Sequence, residues 1–541
     1  MMSSDKSQKV SVSVICAGQN VLPNVENVPH MQHSTRRNSQ NISQFPKVVV
    51  HDYEDVLDMI GFGCTQWIVL ITCGLLLMMV INETMGMSII TIASQCDFAT
   101  TSVHKAIMSA ASFVGIAIFS YVWGYLSDTV GRRVVLIYAT FGACFFSAIS
   151  MFIRNYWAYV FMRFVVGIFI AGPSSTTYAF LAEFFTTRHR PIVVNYSSLF
   201  VGVSMTYVPA VAWLVLSMDW TLQITSSFNF RPWHLLTFFN LLPGLIAVVV
   251  LLFLPESPQL YLSLRKEKEA LKAVNWICEL NTGNNLTQFG VKNLKAEVSV
   301  DANCVVLTSQ SCGEAIKHVW KETRPLLRRP YALNFFICCF IMCGMFFSSS
   351  GMGLWFSEIQ NRASSNSNSN AVTVCEIIDN SILAKEESAN FTKICNDSIS
   401  DKSFFDSISL GLCFVVGYAL TGVILNIFGR KSTIIGSLLL SALCCAALLW
   451  LRHPTAVVVC FIIFLTMPGL CVATLSSALV DLVPTHLRGK AICLCLMMGR
   501  SGSVFGSNII GVLLETHCIS TFAFFSGCVF VCMLLTILLP I

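Results

Sequence analysis

Long apolar segments alternate with short polar segments along most of the chain. Twelve apolar segments predict membrane-spanning helices, because a helix needs about 20 mostly apolar residues to cross a bilayer. We number them spans 1 to 12. They run roughly 65–94, 103–127, 133–153, 156–182, 190–216, 233–254, 331–357, 405–428, 431–451, 455–482, 489–514 and 517–539. The pattern predicts an all-α membrane protein.

The composition agrees with a membrane protein. Hydrophobic residues make up 55% of the chain and charged residues 12%, whereas a soluble domain usually carries about 25% charged residues. The net charge is +5, and no basic stripe with interleaved aromatic residues is present, so we expect no nucleic-acid partner. The lipid bilayer is the partner that this composition implies.

One short loop sequence occurs twice. Residues 124–133 read GYLSDTVGRR and residues 422–431 read GVILNIFGRK, each between two apolar spans, and 422 − 124 = 298. Acidic and basic residues that follow spans 4 and 10 keep the same offset: Glu183 with Asp481, and Arg190 with Arg488. A membrane protein that repeats its loop chemistry at a fixed register is expected to contain two related bundles, as many transporters do. We therefore predict two pseudo-symmetric six-helix bundles.

The residue types of this motif suit a network at the membrane surface. Its glycines permit close approach and tight turns, and its acids can cap a helix N-terminus or pair with an arginine. Ion pairs would hold the ends of the bundles together, and opening that side would break them; the alternative is that these residues only set topology and bind headgroups. The predicted motif residues are Gly124, Asp128, Gly131, Arg132, Arg133, Glu183 and Arg190, with Gly422, Asn426, Gly429, Arg430, Lys431, Asp481 and Arg488 in the second copy.

Basic residues concentrate in the loops between spans 2 and 3, 4 and 5, 8 and 9, and 10 and 11. The positive-inside rule therefore places both termini in the cytoplasm. The domains follow from the spans: a disordered N-terminal tail (1–60), a first bundle (61–254), a cytoplasmic linker with an amphipathic helix (255–330), and a second bundle (331–541) that includes an outer loop (358–404).

The outer loop carries two glycosylation acceptors, at Asn390 and Asn396. Such acceptors are usable only on the non-cytoplasmic side, which agrees with the predicted orientation. Cys375 and Cys395 lie in the same loop, where oxidising conditions would permit a disulfide, and the sequence leaves open whether they are bonded. The other cysteines lie mostly in apolar spans and show no zinc-ligand spacing, so no metal site is predicted.

Three charged residues lie deep inside predicted spans, where charges are costly and usually functional. Glu83, beside Asn82, could bind a cation or a sugar hydroxyl, or carry a proton. Arg500 could bind a carboxylate or neutralise an acid, and Arg163 lies in the outer half of span 4. The alternative for each is a buried structural pair or a side chain that reaches the interface.

Three aromatic residues are further candidates for the substrate cavity. Tyr178, Trp355 and Phe356 could stack on the ring of a substrate. Aromatic residues of membrane helices also pack in the bundle or lie in the interfacial belt, so both interpretations stay open.

The chain resembles the major facilitator superfamily in three motifs. These are the repeated loop, the end of span 4 (183–190, EFFTTRHR) and the sequence PESP after span 6 (255–258), the last as in the sugar and organic-ion branches. Finer features resemble the synaptic vesicle glycoprotein 2-related branch: GFG at 61–63, QW at 66–67, QCD at 95–97 and LWFSE at 354–358. The resemblance covers about residues 55 to 535.

The resemblance implies rocking of two bundles around a central site lined by spans 1, 4, 7 and 10, with the motif network steadying the outward-facing state. The chain departs from the pattern at Thr129, where a basic residue is common, and at Asn426, where the motif has an acid. Val80 stands where the branch often has an acid, which puts proton coupling through an acid pair in doubt.

We therefore predict a secondary transporter of a small organic solute, either sugar-like or an organic ion, that acts by alternating access. No nucleophile–base spacing and no Gly-x4-Gly-Lys phosphate loop is present, so we expect neither an enzyme nor direct use of ATP, and no cofactor. We expect a monomer in the plasma membrane or an intracellular vesicle, and a coupling proton stays open. The alternative is a non-transporting membrane or vesicle glycoprotein that acts through protein partners.

Overall fold

The computed structural model describes residues 50–218, 220–225, 228–291, 293–294, 323–365, 373–380, 398–483 and 487–540. Within these residues, eleven helices are long and apolar enough to cross a membrane. A further helix, Arg488–Leu513, is long enough but more polar, since it contains Arg500 and several Gly and Ser residues. The predicted all-α membrane fold is confirmed.

The predicted spans match the observed helices. Their ends agree to within four residues, except that span 7 continues to Ser365. Span 1 has a break at Gly86, and span 7 contains a π-helical turn at Phe347–Gly351. The bounds are Cys64–Met85 with Met87–Ala93, Ser102–Thr129, Arg132–Ser150, Tyr156–Ala182, Arg190–Leu216, Pro232–Phe253, Ala332–Phe346 with Met352–Ser365, Asp401–Phe428, Arg430–Ala447, Pro454–Leu482, Arg488–Leu513 and Cys518–Leu538.

Spans 1 to 6 form the first half of the bundle, and spans 7 to 12 form the second half. The halves meet along spans 2 and 11, along spans 5 and 8, and where Met87–Ala93 of span 1 packs on Met352–Ser365 of span 7. Small residues bring spans 5 and 8 close together. A Cβ placed on Gly202 would lie 2.6 Å from the backbone nitrogen of Val415, and a Cβ placed on Gly411 would overlap Thr206. Close backbone approach at small residues is how membrane helices gain packing energy without a hydrophobic driving force.

The predicted disordered tail ends earlier than residue 60. Residues Tyr53–Ile60 form a helix whose Tyr53, Val56 and Leu57 side chains are buried, because its apolar residues recur at helical spacing and pack on the linker. Residues 1–49 lie outside the described residues. The predicted amphipathic helix of the linker is observed at Glu267–Thr282, and its apolar face belongs to the same buried cluster.

Four short strands and several short helices lie outside the spans in the described part. Strand Val50–His51 pairs in parallel with Asn293–Leu294, which ties the segment before the bundle to the linker. Strands Leu222–Thr225 and Phe228–Phe230 form an antiparallel hairpin between spans 5 and 6 that the sequence did not predict. The short helices are Gln95–Phe98, Pro258–Ser263, Leu286–Phe289 and Arg324–Leu327.

The pairing of Cys375 with Cys395, which the sequence left open, is not formed. Cys375 is bonded to Cys518, the first residue of span 12, with 5.6 Å between their Cα atoms. The two cysteines are 143 residues apart in sequence, so the pairing depends on the folded arrangement of the helices, which sequence proximity does not reveal. Cys96 is disulfide-bonded as well. Cys395, Asn390 and Asn396 lie outside the described residues.

Candidate functional site

The loop motif of the first half forms an ion-pair network within that half. Arg132, at the start of span 3, donates to the Glu183 carboxylate at 2.8 Å and to Asp128 at 3.4 Å. Glu183 is nearly buried, whereas 68% of the Asp128 side chain is exposed. Burial raises the pKa of the Glu183 carboxyl to about 7, and the charge of Arg132 acts in the opposite direction. The network therefore links spans 2, 3 and 4.

Glu256, from the PESP sequence, caps the start of span 3. Its carboxylate accepts hydrogen bonds from the backbone N–H groups of Arg133 at 2.8 Å and Val134 at 3.4 Å. Gly131 makes this approach possible, because its φ is +139° and a Cβ there would lie 2.6 Å from a Glu256 oxygen. The sequence predicted a capping role for Asp128 and missed Glu256, although an acid in a motif after span 6 was a usable signal.

The second copy of the motif repeats this geometry. Arg430 pairs with Asp481, 298 residues after Arg132 and Glu183. Lys431 donates to the carbonyl of Leu539 at the end of span 12, as Arg133 donates to carbonyls at the end of span 6. Asn426, which replaces the acid, is exposed. The second network is the more solvated one, with side chains about half exposed.

Other contacts repeat at the same offset. Arg190 donates to the carbonyl of Phe185, and Arg488 donates to that of Val483. Across the halves, Gly124 faces Cys493 and Gly422 faces Asn195. Asn195 and Cys493 are themselves 298 residues apart. The internal repeat therefore relates each of these two contacts to the other. The fold is therefore two-fold pseudo-symmetric at this end of the molecule, which we call the motif end.

The predicted role of the motif in holding the ends of the two halves together stays a prediction. In this conformation the ion pairs of Arg132 with Asp128 and Glu183, and of Arg430 with Asp481, each lie within one half. These pairs are intact although a cavity lies among spans 2, 4 and 11 at the same end. The physical reason is that the paired loops join helices that are neighbours in the same bundle. The motif therefore braces each half.

At the opposite end, which we call the far end, charged residues join the two halves. Lys105 of span 2 pairs with Glu358 of span 7 at 2.9 Å, and both side chains are nearly buried. Arg362 pairs with Glu358 and with Glu515, each at 3.0 Å, and Ser102 of span 2 donates to Glu515. We name these five residues the far-end latch. The sequence analysis missed it, although the charges at the ends of spans 2 and 7 were a signal.

A cavity of about 530 Å³ lies between the halves in the motif-end part of the bundle. Spans 2, 4 and 11 supply its walls. The residues that line it include Tyr121, Asp128, Arg132, Ser174, Tyr178, Lys490 and Arg500. Two of the predicted cavity residues, Tyr178 and Arg500, are therefore placed in its wall. Arg500 donates to Ser174 at 3.2 Å, across the interface of the halves.

Glu83 and Arg163 form a buried pair inside the first half. Their charged atoms are 2.8 Å apart, each side chain is 1% exposed, and Ser147 donates to the same carboxylate at 2.8 Å. Neither residue lines the cavities described here. Asn82 is buried too, accepting from Ser204 and donating to the carbonyl of Asn240. These three residues were predicted to line the substrate cavity. In this conformation they are instead buried and hydrogen-bonded inside the first half.

The two aromatic residues predicted on span 7 lie in different places. The indole of Trp355 donates to the carbonyl of Ser507 at 3.1 Å and packs on span 11. Phe356 stacks near Phe461, with 5.2 Å between ring centroids, and lines a small space of about 40 Å³ between the halves towards the far end. The far side of the central region is therefore closed.

Within the described residues, no group of three or more His, Cys, Asp or Glu side chains is placed to hold a metal ion.

The sequence profile of the Major Facilitator Superfamily matches residues 70–375. The chain belongs to this superfamily. It is 26% identical to human synaptic vesicle glycoprotein 2B over 324 residues, and 24% identical to bovine synaptic vesicle glycoprotein 2A over 328 residues. Each match covers 58% of this chain, with 47% and 44% of the relatives, so the chain spans about half the length of the curated relatives it matches. The predicted relation to the synaptic vesicle glycoprotein 2 branch is confirmed.

Solved structures of a transporter share the fold. The xylose transporter XylE from E. coli, in a partially occluded inward-open conformation, aligns with a TM-score of 0.60 and 15% identity over 88% of this chain and 100% of that chain. XylE, a proton:xylose symporter, bound to 6-bromo-6-deoxy-D-glucose aligns with a TM-score of 0.57 and 16% identity. This alignment covers 88% of this chain and 96% of that chain. These likenesses establish the twelve-helix architecture of the superfamily.

Proposed function

We propose that this chain is a secondary transporter that carries a small organic solute across a membrane by alternating access. The observation that carries the proposal is an asymmetry between the two ends of the interface between the halves. At the motif end a cavity of about 530 Å³ lies among spans 2, 4 and 11. At the far end the latch joins the halves through the buried Lys105–Glu358 ion pair and through Ser102, which donates to Glu515.

The positive-inside rule makes the motif end cytoplasmic, since the repeated loops carry most of the basic residues. The conformation is then inward-facing, and the solute would bind between Tyr178 and Arg500. Outward opening requires the latch to break, while the ion pairs within each half remain. The relatives support a small solute as cargo, since XylE carries xylose and couples it to a proton.

Proton coupling through Glu83 has little support, because its carboxylate is paired with Arg163 and excluded from water. If a proton is coupled, Glu183 is the better candidate. It lies beside the cavity-lining Arg132, and burial raises the pKa of its carboxyl to about 7. A carboxyl that titrates near neutral pH can load and release a proton as its surroundings change.

Uptake into proteoliposomes tests the proposal. The purified full chain is assayed with labelled sugars, organic cations and carboxylates at two pH gradients. Ser175→Trp places a large side chain in the cavity wall, so we expect saturable uptake to fall at least tenfold. The matched control is Val249→Trp, at a position of span 6 that is 55% exposed on the outside of the bundle; its uptake should stay near wild type.

Absence of saturable uptake, from protein that elutes as a folded species, would contradict the proposal. The predicted alternative, a non-transporting glycoprotein that acts through partners, would then account better for the chain. Equal uptake by the two tryptophan variants would show that the solute does not pass through this cavity.

A further inference from the structure

Arg500 lies near the middle of span 11, with its side chain in the wall of the motif-end cavity. Its guanidinium donates to the hydroxyl of Ser174 at 3.2 Å, and its Cζ atom lies 4.9 Å from the ring centroid of Phe346. The ionisable groups that act on its charge are the neutral phenols of Tyr178 and Tyr418. Among the described residues, none of these neighbours is a carboxylate.

The other cations in comparable positions are neutralised. Arg163 is paired with Glu83, Lys105 with Glu358, and Arg362 with both Glu358 and Glu515. Arg500 is half-buried in the cavity wall, and a cation that is partly withdrawn from water without a counter-ion carries a desolvation cost. A hydroxyl and one aromatic ring offset only part of that cost. The position of Arg500 therefore suits an anion that binds reversibly as its counter-ion.

The rest of the cavity wall is also positive. Its charged side chains are Arg132, Lys490 and Arg500 against the carboxylate of Asp128. Arg132 is held by Asp128 and Glu183, which leaves Arg500 as the deeper of the cations in this wall. Low-dielectric walls of one sign concentrate solutes of the opposite charge.

We infer that the cavity binds a small organic anion through its carboxylate, with Arg500 as the binding residue. A planar guanidinium offers paired N–H donors that match the two oxygens of a carboxylate. The phenol of Tyr178 and the hydroxyl of Ser174 lie in the same wall and supply further donors, and the ring of Phe346 packs against the guanidinium. This inference deepens the proposed function by selecting organic anions over sugars and organic cations.

Binding of matched carboxylates and amides tests the inference on the wild-type protein. Labelled benzoate and benzamide, which have nearly the same shape and differ in charge, are measured by scintillation proximity with the purified full chain; lactate and lactamide form a second pair. We expect saturable carboxylate binding at least tenfold tighter than that of the amide. Equal affinity, or no carboxylate binding, would overturn the inference without any variant.

Variants then locate the site. Arg500→Gln should weaken benzoate binding at least tenfold and leave benzamide binding unchanged, and Arg500→Lys should retain part of the preference. The control is Arg265→Gln, an exposed position on the linker, which removes one positive charge outside the cavity and should bind as wild type does. Unchanged benzoate binding in Arg500→Gln would overturn the role of Arg500.

The uptake assay separates this inference from the proposed function. Saturable uptake of a neutral solute, with no carboxylate preference, would keep the transporter and overturn the anion site. Carboxylate binding that requires Arg500, without any flux, would keep the anion site and contradict transport.

Discussion

The two ends of the molecule use the same chemistry for different connections. At the motif end, Arg132 pairs with Glu183 and Arg430 pairs with Asp481, each within one half. At the far end, Lys105 pairs with Glu358 between the halves. Both ends carry arginine or lysine beside carboxylates, so composition alone does not distinguish them. The difference lies in which helices the partners belong to.

The two kinds of ion pair should affect different properties: pairs within a half should affect the stability of the fold, and pairs between halves should affect the equilibrium between conformations. An ion pair within a half is kept whichever side of the molecule is open, so its loss should lower stability and leave the balance of conformations unchanged. An ion pair between halves exists in only one conformation, so its loss should shift the balance. Three substitutions within the first half and one at the far end test this division.

The largest effect is expected at the buried pair of the first half. Arg163→Gln leaves Glu83 uncompensated in the bundle, and breaking a buried pair in this way costs about 3–5 kcal/mol. We expect a marked loss of folded protein in size-exclusion chromatography and a lower Tm. The control is Arg430→Gln, which breaks a pair about half exposed to solvent and should cost at most about 1 kcal/mol. A stable Arg163→Gln protein that had lost uptake would instead make this pair part of the transport machinery.

A smaller effect is expected at the turn into span 3. Gly131→Ala puts a side chain at a φ of +139° and within 2.6 Å of the Glu256 carboxylate. The substitution should cost about 2–3 kcal/mol, from backbone strain plus loss of the cap. Gly429→Ala is the matched control, because its φ is +74° but no atom lies within 4 Å of the new Cβ, and it should cost about 1 kcal/mol. Equal Tm values for the two variants would contradict the capping role of Glu256.

The smallest effect concerns pH. Burial raises the pKa of Glu183 from 4.5 to about 7, so the folded protein holds this proton more tightly than the unfolded chain does. Its contribution to stability is therefore full below about pH 4.5 and is lost as the pH rises through about 7. Between pH 5 and pH 8, the Tm of the wild type should fall by roughly 2–4 °C more than that of Glu183→Gln. Parallel pH profiles for the two proteins would contradict the shifted pKa.

Much of the motif end could be predicted from the sequence. The offset of 298 residues relates Arg132 to Arg430 and Glu183 to Asp481, and both pairs are observed. Helix lengths were predictable because span hydropathy is a local property. Such features can be predicted because they depend only on residues close in sequence or on an internal repeat.

The far end and the interior could not be predicted in the same way. The partners of Glu83, Lys105 and Cys375 are 80, 253 and 143 residues away, and they meet only once the helices pack. A charge inside a span indicates a costly site, but the sequence does not say whether a second span supplies the counter-charge. That is why Glu83 and Arg163 looked functional and are paired, whereas Arg500 has no carboxylate partner among the described residues.

Hydrogen–deuterium exchange on Lys105→Met tests the central claim most directly. The substitution removes the cation that joins span 2 to Glu358. The free energy that holds the far end closed should fall by about 2 kcal/mol. We predict faster exchange in residues 102–110 and 352–362, slower exchange in residues 120–128 and 489–496, and no such pattern in Arg430→Gln. Unchanged exchange at the far end in folded Lys105→Met protein, or the same pattern in Arg430→Gln, would contradict the claim that the latch, and not the ion pairs within each half, sets which side is open.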